Sequence, residues 1–97
     1  MPTYATLVNF TDHGIRTINE TLDRAARLEE LGQKHGASFE RLYWTVGPHD
    51  LVAVAEASDE ESITAFFLEL ASAGNLRTTT LRAYDRDEMS GILGRLG

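Results

Sequence analysis

Each half of this 97-residue chain repeats one order of hydrophobic patterns: a run alternating with a period of two, a run at helical spacing, and a second alternating run. That order leaves few folds open. Tyr4 to Phe10 is rich in aromatic and β-branched residues and ends at the turn formers Thr11-Asp12-His13-Gly14, which predicts a first strand. After a short irregular or helical stretch through Ile15 and Ile18, Thr21 is placed to cap a helix from Leu22 to about Lys34, with Gly36 as its stop. Phe39 to Val46 and Leu51 to Ala57 form a hairpin across Gly47-Pro48-His49-Asp50. Ser58 and Glu61 form an expected capping box before Ile63, Phe66, Phe67, Leu70 and Ala71, an amphipathic helix that Gly74-Asn75 stops. Leu76 to Tyr84 is a Thr-rich fourth strand, and Asp85 caps a short last helix carrying Met89, Ile92, Leu93 and Leu96.

The expected fold is therefore α+β, a ferredoxin-like βαββαβ unit in one domain over residues 1–97. It has a four-stranded antiparallel sheet, both main helices on one face and a short C-terminal helix. The other face is bare. Strand alternation assigns Ala5, Leu7, Leu81 and Ala83 to the helix side, leaving Tyr4, Thr6, Val8 and Phe10 with Thr78, Thr80, Arg82 and Tyr84 on the bare side. On the second strand Phe39, Arg41, Tyr43 and Thr45 join the bare set, while Leu51 to Ala57 is apolar on both sides and stays unassigned. A strand apolar on both faces is normally covered on both, so a second copy of the sheet is the expected cover.

Composition sharpens this reading. Nine basic against fifteen acidic residues give a formal charge of −6, which opposes a phosphate-backbone partner, and the strands lack the aromatic, basic pattern that stacks bases. With no cysteine, neither a disulfide nor a thiolate metal site reinforces so small a core. No apolar run approaches a membrane span and the N-terminus lacks signal-peptide order, so the expected compartment is the cytoplasm, with no membrane partner.

Catalytic signatures are sparse. The three histidines, His13, His35 and His49, have no metal-ligand spacing, and His35 fits the favourable dipole at a helix end. Asp59-Glu60-Glu61 and Asp85-Arg86-Asp87-Glu88 are read as helix-start charges. Neither a phosphate loop nor a nucleophile elbow occurs, and no cofactor or metal is expected. Asp50, opening a strand after a Gly-Pro turn, either binds nearby backbone N–H groups or projects into a cavity, and His49 beside it either sits exposed in the turn or acts as an acid or base. On the assumed bare face Tyr4, Tyr43, Thr80 and Arg82, with Asp50, are the candidate ligand-binding residues for a small organic or anionic molecule.

Several segments together resemble the GYD-domain family of small bacterial and archaeal proteins, named for a Gly-x-Tyr-Asp motif. They are Tyr4 to Arg16, Tyr43 to Asp50 and Gly74 to Tyr84. Gly47 and Asp50 fall on the motif, while His49 stands where the family usually has Tyr. The resemblance implies an architecture similar to the dimeric α/β barrels, whose members include cofactor-independent oxygenases, haem-active proteins and binding modules. The expected function is a homo-oligomeric small-molecule-binding or regulatory module, the alternative being a small cofactor-independent or haem-assisted enzyme that uses His49 and Asp50.

Overall fold

The computed structural model describes residues 2–97. Its elements run β1 (Thr3–Phe10), α1 (Asp12–Arg16), a 3-10 turn (Ile18–Glu20), α2 (Thr21–Lys34), β2 (Ala37–Trp44), β3 (Leu51–Ala57), α3 (Glu60–Ser72), β4 (Leu76–Ala83) and α4 (Arg86–Leu93). The strands form one antiparallel sheet in the order β2-β3-β1-β4, the ferredoxin-like arrangement the sequence pattern predicts. β1 lies in the middle, paired to β3 through Tyr4↔Ala55 and Thr6↔Ala53 and to β4 through Tyr4↔Arg82 and Thr6↔Thr80.

The faces of β1 and β4 are the reverse of those expected. Tyr4, Thr6 and Val8 are buried under α2 and α3, together with Leu51, Ala53 and Ala55 of β3. The partner residues Thr78, Thr80 and Arg82 share that side, whereas Ala5, Leu7 and Leu81 turn outward. The reason is volume. β3 presents only alanines beneath much of the helix layer, so β1 must supply bulk there, and Tyr4 and Val8 do so against the fully buried Phe66. On β2 a bulge between Phe39 and Arg41 changes the alternation, sending Phe39 inward while Arg41 and Tyr43 remain on the open face. Phe39 then meets Phe66 at 5.4 Å between ring centroids, and Phe67 meets Phe66 at 4.9 Å.

Helix ends follow local chemistry with two shifts. Asp59, not Ser58, caps α3, its Oδ1 accepting from the Ser62 N–H at 2.7 Å. Thr21 begins α2 without capping it, because the preceding 3-10 turn runs directly into the helix, and its hydroxyl instead accepts from Trp44 Nε1 at 3.0 Å. Gly36 and Gly74 stop α2 and α3 at positive φ, and Asp85 with Glu88 makes a full capping box on α4. Gly14 is required by close approach: a Cβ there would run into the Asn75 carbonyl.

α2 and α3 are tied at one end by Glu69, whose carboxylate accepts from His35 Nε2 at 2.6 Å and from Lys34 Nζ at 2.9 Å. Those bonds, the histidine's first, hold the Glu69 carboxyl below its ordinary value of 4.5. Its stabilising contribution is therefore present above that value and lost as pH falls further below it. In urea titrations across pH 7 to 3, Glu69→Gln is expected to be less stable than the parent near neutrality, with the gap closing below pH 4.5.

Candidate functional site

The motif residues of the β2–β3 hairpin act on the end of β1. Asp50 Oδ2 accepts the Phe10 backbone N–H at 2.8 Å, while the Asp50 N–H donates to the Val8 carbonyl at 2.8 Å. His49 Nδ1 lies 2.8 Å from Asn9 Oδ1, and Asn9 Nδ2 donates to the Pro48 carbonyl at 2.9 Å. The Thr45 hydroxyl closes the turn by donating to the His49 carbonyl at 2.6 Å. One carboxylate, one imidazole and one amide thus fasten the hairpin tip across two strands. Asn9, the partner of His49, carries no signal in the sequence that singles it out, because its role depends on a turn residue 40 positions away.

Tyr4, Thr80 and Arg82 lie together on the helix side of the sheet, near the opposite end of β1 from Asp50. The Arg82 guanidinium stands 5.7 Å from the Tyr4 ring centroid and 4.4 Å from that of Tyr84. It donates to the Thr3 carbonyl at 3.1 Å and to the Ala83 carbonyl, and pairs with Glu88 of α4 at 3.4 Å. Arg82 therefore joins β1, β4 and α4. Burial pushes the Tyr4 phenol up, with Glu60 adding and Arg82 opposing, and its hydroxyl makes no hydrogen bond among the described residues. Tyr43 lies on the other face. The five residues expected to share one bare-face pocket are thus divided among two faces and a hairpin tip.

The open face is formed by Ala5, Leu7, Val52, Val54, Leu81 and Tyr43, with Leu81 and Tyr43 50% and 52% exposed. Arg41 Nη1 donates to the Tyr43 hydroxyl at 3.1 Å along its edge. α4 is tied to the sheet by the Arg82–Glu88 pair, and its Met89, Leu93 and Leu96 are exposed. Among the described residues, no three His, Asp or Glu side chains converge as a metal ion would need, and no helix is long and apolar enough to cross a membrane.

The GYD domain, as a protein family, matches residues 4–93. The chain belongs to the GYD-domain family. It is 36% identical over 84 residues to a Thermus thermophilus protein named "Glutamine synthetase and cystathionine beta-lyase binding protein", covering 86% of this chain and 88% of that one. The crystal structure of TTHA0845, also from Thermus thermophilus, superposes with a TM-score of 0.56 at 26% identity, over 89% of this chain and all of the other. In this GYD domain the motif positions Gly47 and Asp50 have structural roles, since Gly47 turns at φ 144° and Asp50 holds the Phe10 N–H.

Asp50→Ala leaves that partly buried N–H without its charged acceptor and is expected to lower stability by about 1.5–3 kcal/mol in urea unfolding, with Asp50→Asn losing less.

Proposed function

We propose that this GYD domain is a non-catalytic binding module of the cytoplasm that self-associates through its open sheet face and, as an assembly, engages a metabolic enzyme. The surplus of surface carries the reading. The chain exposes 6566 Å², against about 5,500 Å² for a monomeric globular protein of this mass. The difference, on the order of 1,000 Å², matches the roughly 800 Å² that each partner gives to a stable interface. A radius of gyration of 14.7 Å, against about 12.5 Å for a compact chain of this length, points the same way.

The open sheet face is the surface we assign to the association. Ala5, Leu7, Val52, Val54 and Leu81 form a continuous apolar patch that α2 and α3 do not cover, and α4 exposes a second apolar stripe of Met89, Leu93 and Leu96. A second copy supplies cover of the same chemistry about a two-fold axis. The enzyme partner is supported by the relative whose name records binding to glutamine synthetase and cystathionine β-lyase. His49 and Asp50 favour this over the enzyme reading, because both are engaged in fastening the hairpin.

Sedimentation equilibrium tests the association. The protein at about 100 μM is expected at twice the chain mass of 10.7 kDa or more, and Leu81→Glu, which an isolated chain tolerates at so exposed a position, shifts it to the single-chain mass. A parent protein that sediments as one chain at that concentration overturns the reading.

A further inference from the structure

On the opposite side of the sheet from the association face, a cavity of about 180 Å³ lies between the helix layer and the strands. It exists because both walls are trimmed: Ala25 of α2 and Ala53 of β3 stand where larger residues would fill it, between Leu28, Leu42 and Phe67. An apolar cavity of about 150 Å³ already holds a benzene-sized molecule, so this one accommodates a body of roughly six to ten non-hydrogen atoms.

Two polar groups in its wall lack partners among the described residues. Thr6 is 1% exposed and its hydroxyl makes no hydrogen bond. Arg24 has a side chain only 12% exposed, and its buried Nε is also unpartnered. The rest of the guanidinium is held in place, Nη1 donating to the Thr17 hydroxyl at 2.6 Å and Nη2 to the Gly14 carbonyl at 3.0 Å, and Phe10 lies beneath it at 6.0 Å. The one carboxylate within 4 Å of it among those residues, Glu20, is 3.9 Å away and 61% exposed, a contact that water screens, and Glu69, also in the cavity wall, is paired with Lys34 and His35. A largely buried cation held by neutral acceptors, with one N–H unpartnered, on a residue that lines an apolar cavity, is an arrangement an anion completes.

From this geometry we infer that the cavity binds a small amphipathic carboxylic acid, an alkyl or aryl carboxylate whose apolar body lies between α2, α3 and the sheet and whose carboxylate pairs with Arg24. Thr6 offers a donor and acceptor to a second polar atom on such a ligand. The site deepens the binding reading by naming a ligand class, and it does not require self-association, since a different face is used.

Trp44, the chain's single tryptophan, lines the cavity and reports on it directly. Octanoate and 3-phenylpropanoate are titrated against the 97-residue chain by Trp fluorescence and calorimetry, with octanol and inorganic phosphate in parallel and oligomeric mass recorded separately. Saturable binding of the two carboxylates below about 1 mM is expected, with octanol weaker by roughly tenfold or more and phosphate silent. Ala25→Phe, which fills the cavity and leaves Arg24 in place, is expected to abolish binding while keeping the circular dichroism of the parent. Arg24→Gln is expected to weaken octanoate roughly tenfold and leave octanol unchanged. No saturable binding to the parent, equal affinity for octanoate and octanol, or undiminished binding in a folded Ala25→Phe overturns the inference, whatever the mass measurement returns.

Discussion

Two helices cannot cover both sides of a four-stranded sheet, and that geometric limit governs the rest of this molecule. α2 and α3 bury one side, where Phe66, Tyr4, Val8 and the alanines of β3 form the core. The other side keeps Leu7, Val52, Val54 and Leu81 without a covering layer. Fully burying an exposed side chain of this kind is worth about 1.5–3 kcal/mol; Leu81 is half exposed while Leu7, Val52 and Val54 are already partly buried, so covering this face gains a fraction of that value at each position. The proposed self-association draws on that balance, and α4 adds the exposed Met89, Leu93 and Leu96.

The covered side is shaped by a second consequence of packing. Because β3 brings alanines to it, β1 and the helices have to provide volume, and they do so unevenly. Tyr4, Phe39 and Phe66 fill one region, while Ala25 and Ala53 leave the space into which Arg24 and Thr6 are turned. The motif hairpin contributes rigidity at the far end of β1, where Asp50 and the His49–Asn9 pair hold β3 and the Phe10 end of β1 in register. The sheet thus has a fastened end, a filled region and a cavity on its covered side, with a continuous apolar patch on the other.

Much of this was legible in the residues. Strand and helix order followed from hydrophobic period, helix stops from Gly36 and Gly74, and the α4 cap from Asp85 with Glu88, all of which depend on neighbours close in sequence. What alternation could not decide was which side of β1 faces inward, because Tyr4/Val8 and Ala5/Leu7 are both compatible with burial and the choice is made by Ala53 and Ala55 some 50 residues away. The bulge after Phe39 broke the two-residue period on β2 in the same hidden way. Placing Tyr4, Thr80 and Arg82 on the wrong face then scattered the expected ligand site. The cavity did leave a trace: Thr21 and Arg24 sit on the Ala25, Leu28, Leu31 stripe of α2, and a polar pair on an otherwise apolar helical stripe is the signal that points to it.

Hydroxyl-radical footprinting of the native protein across a concentration series tests the central claim most directly, because it locates the association rather than only weighing it. Protection of Tyr43 and Leu81 that grows with concentration, while Leu22 and Leu68 on the helix side stay reactive, is the result this account requires. Tyr43 and Leu81 equally reactive at every concentration, or protection confined to the helices, would contradict it.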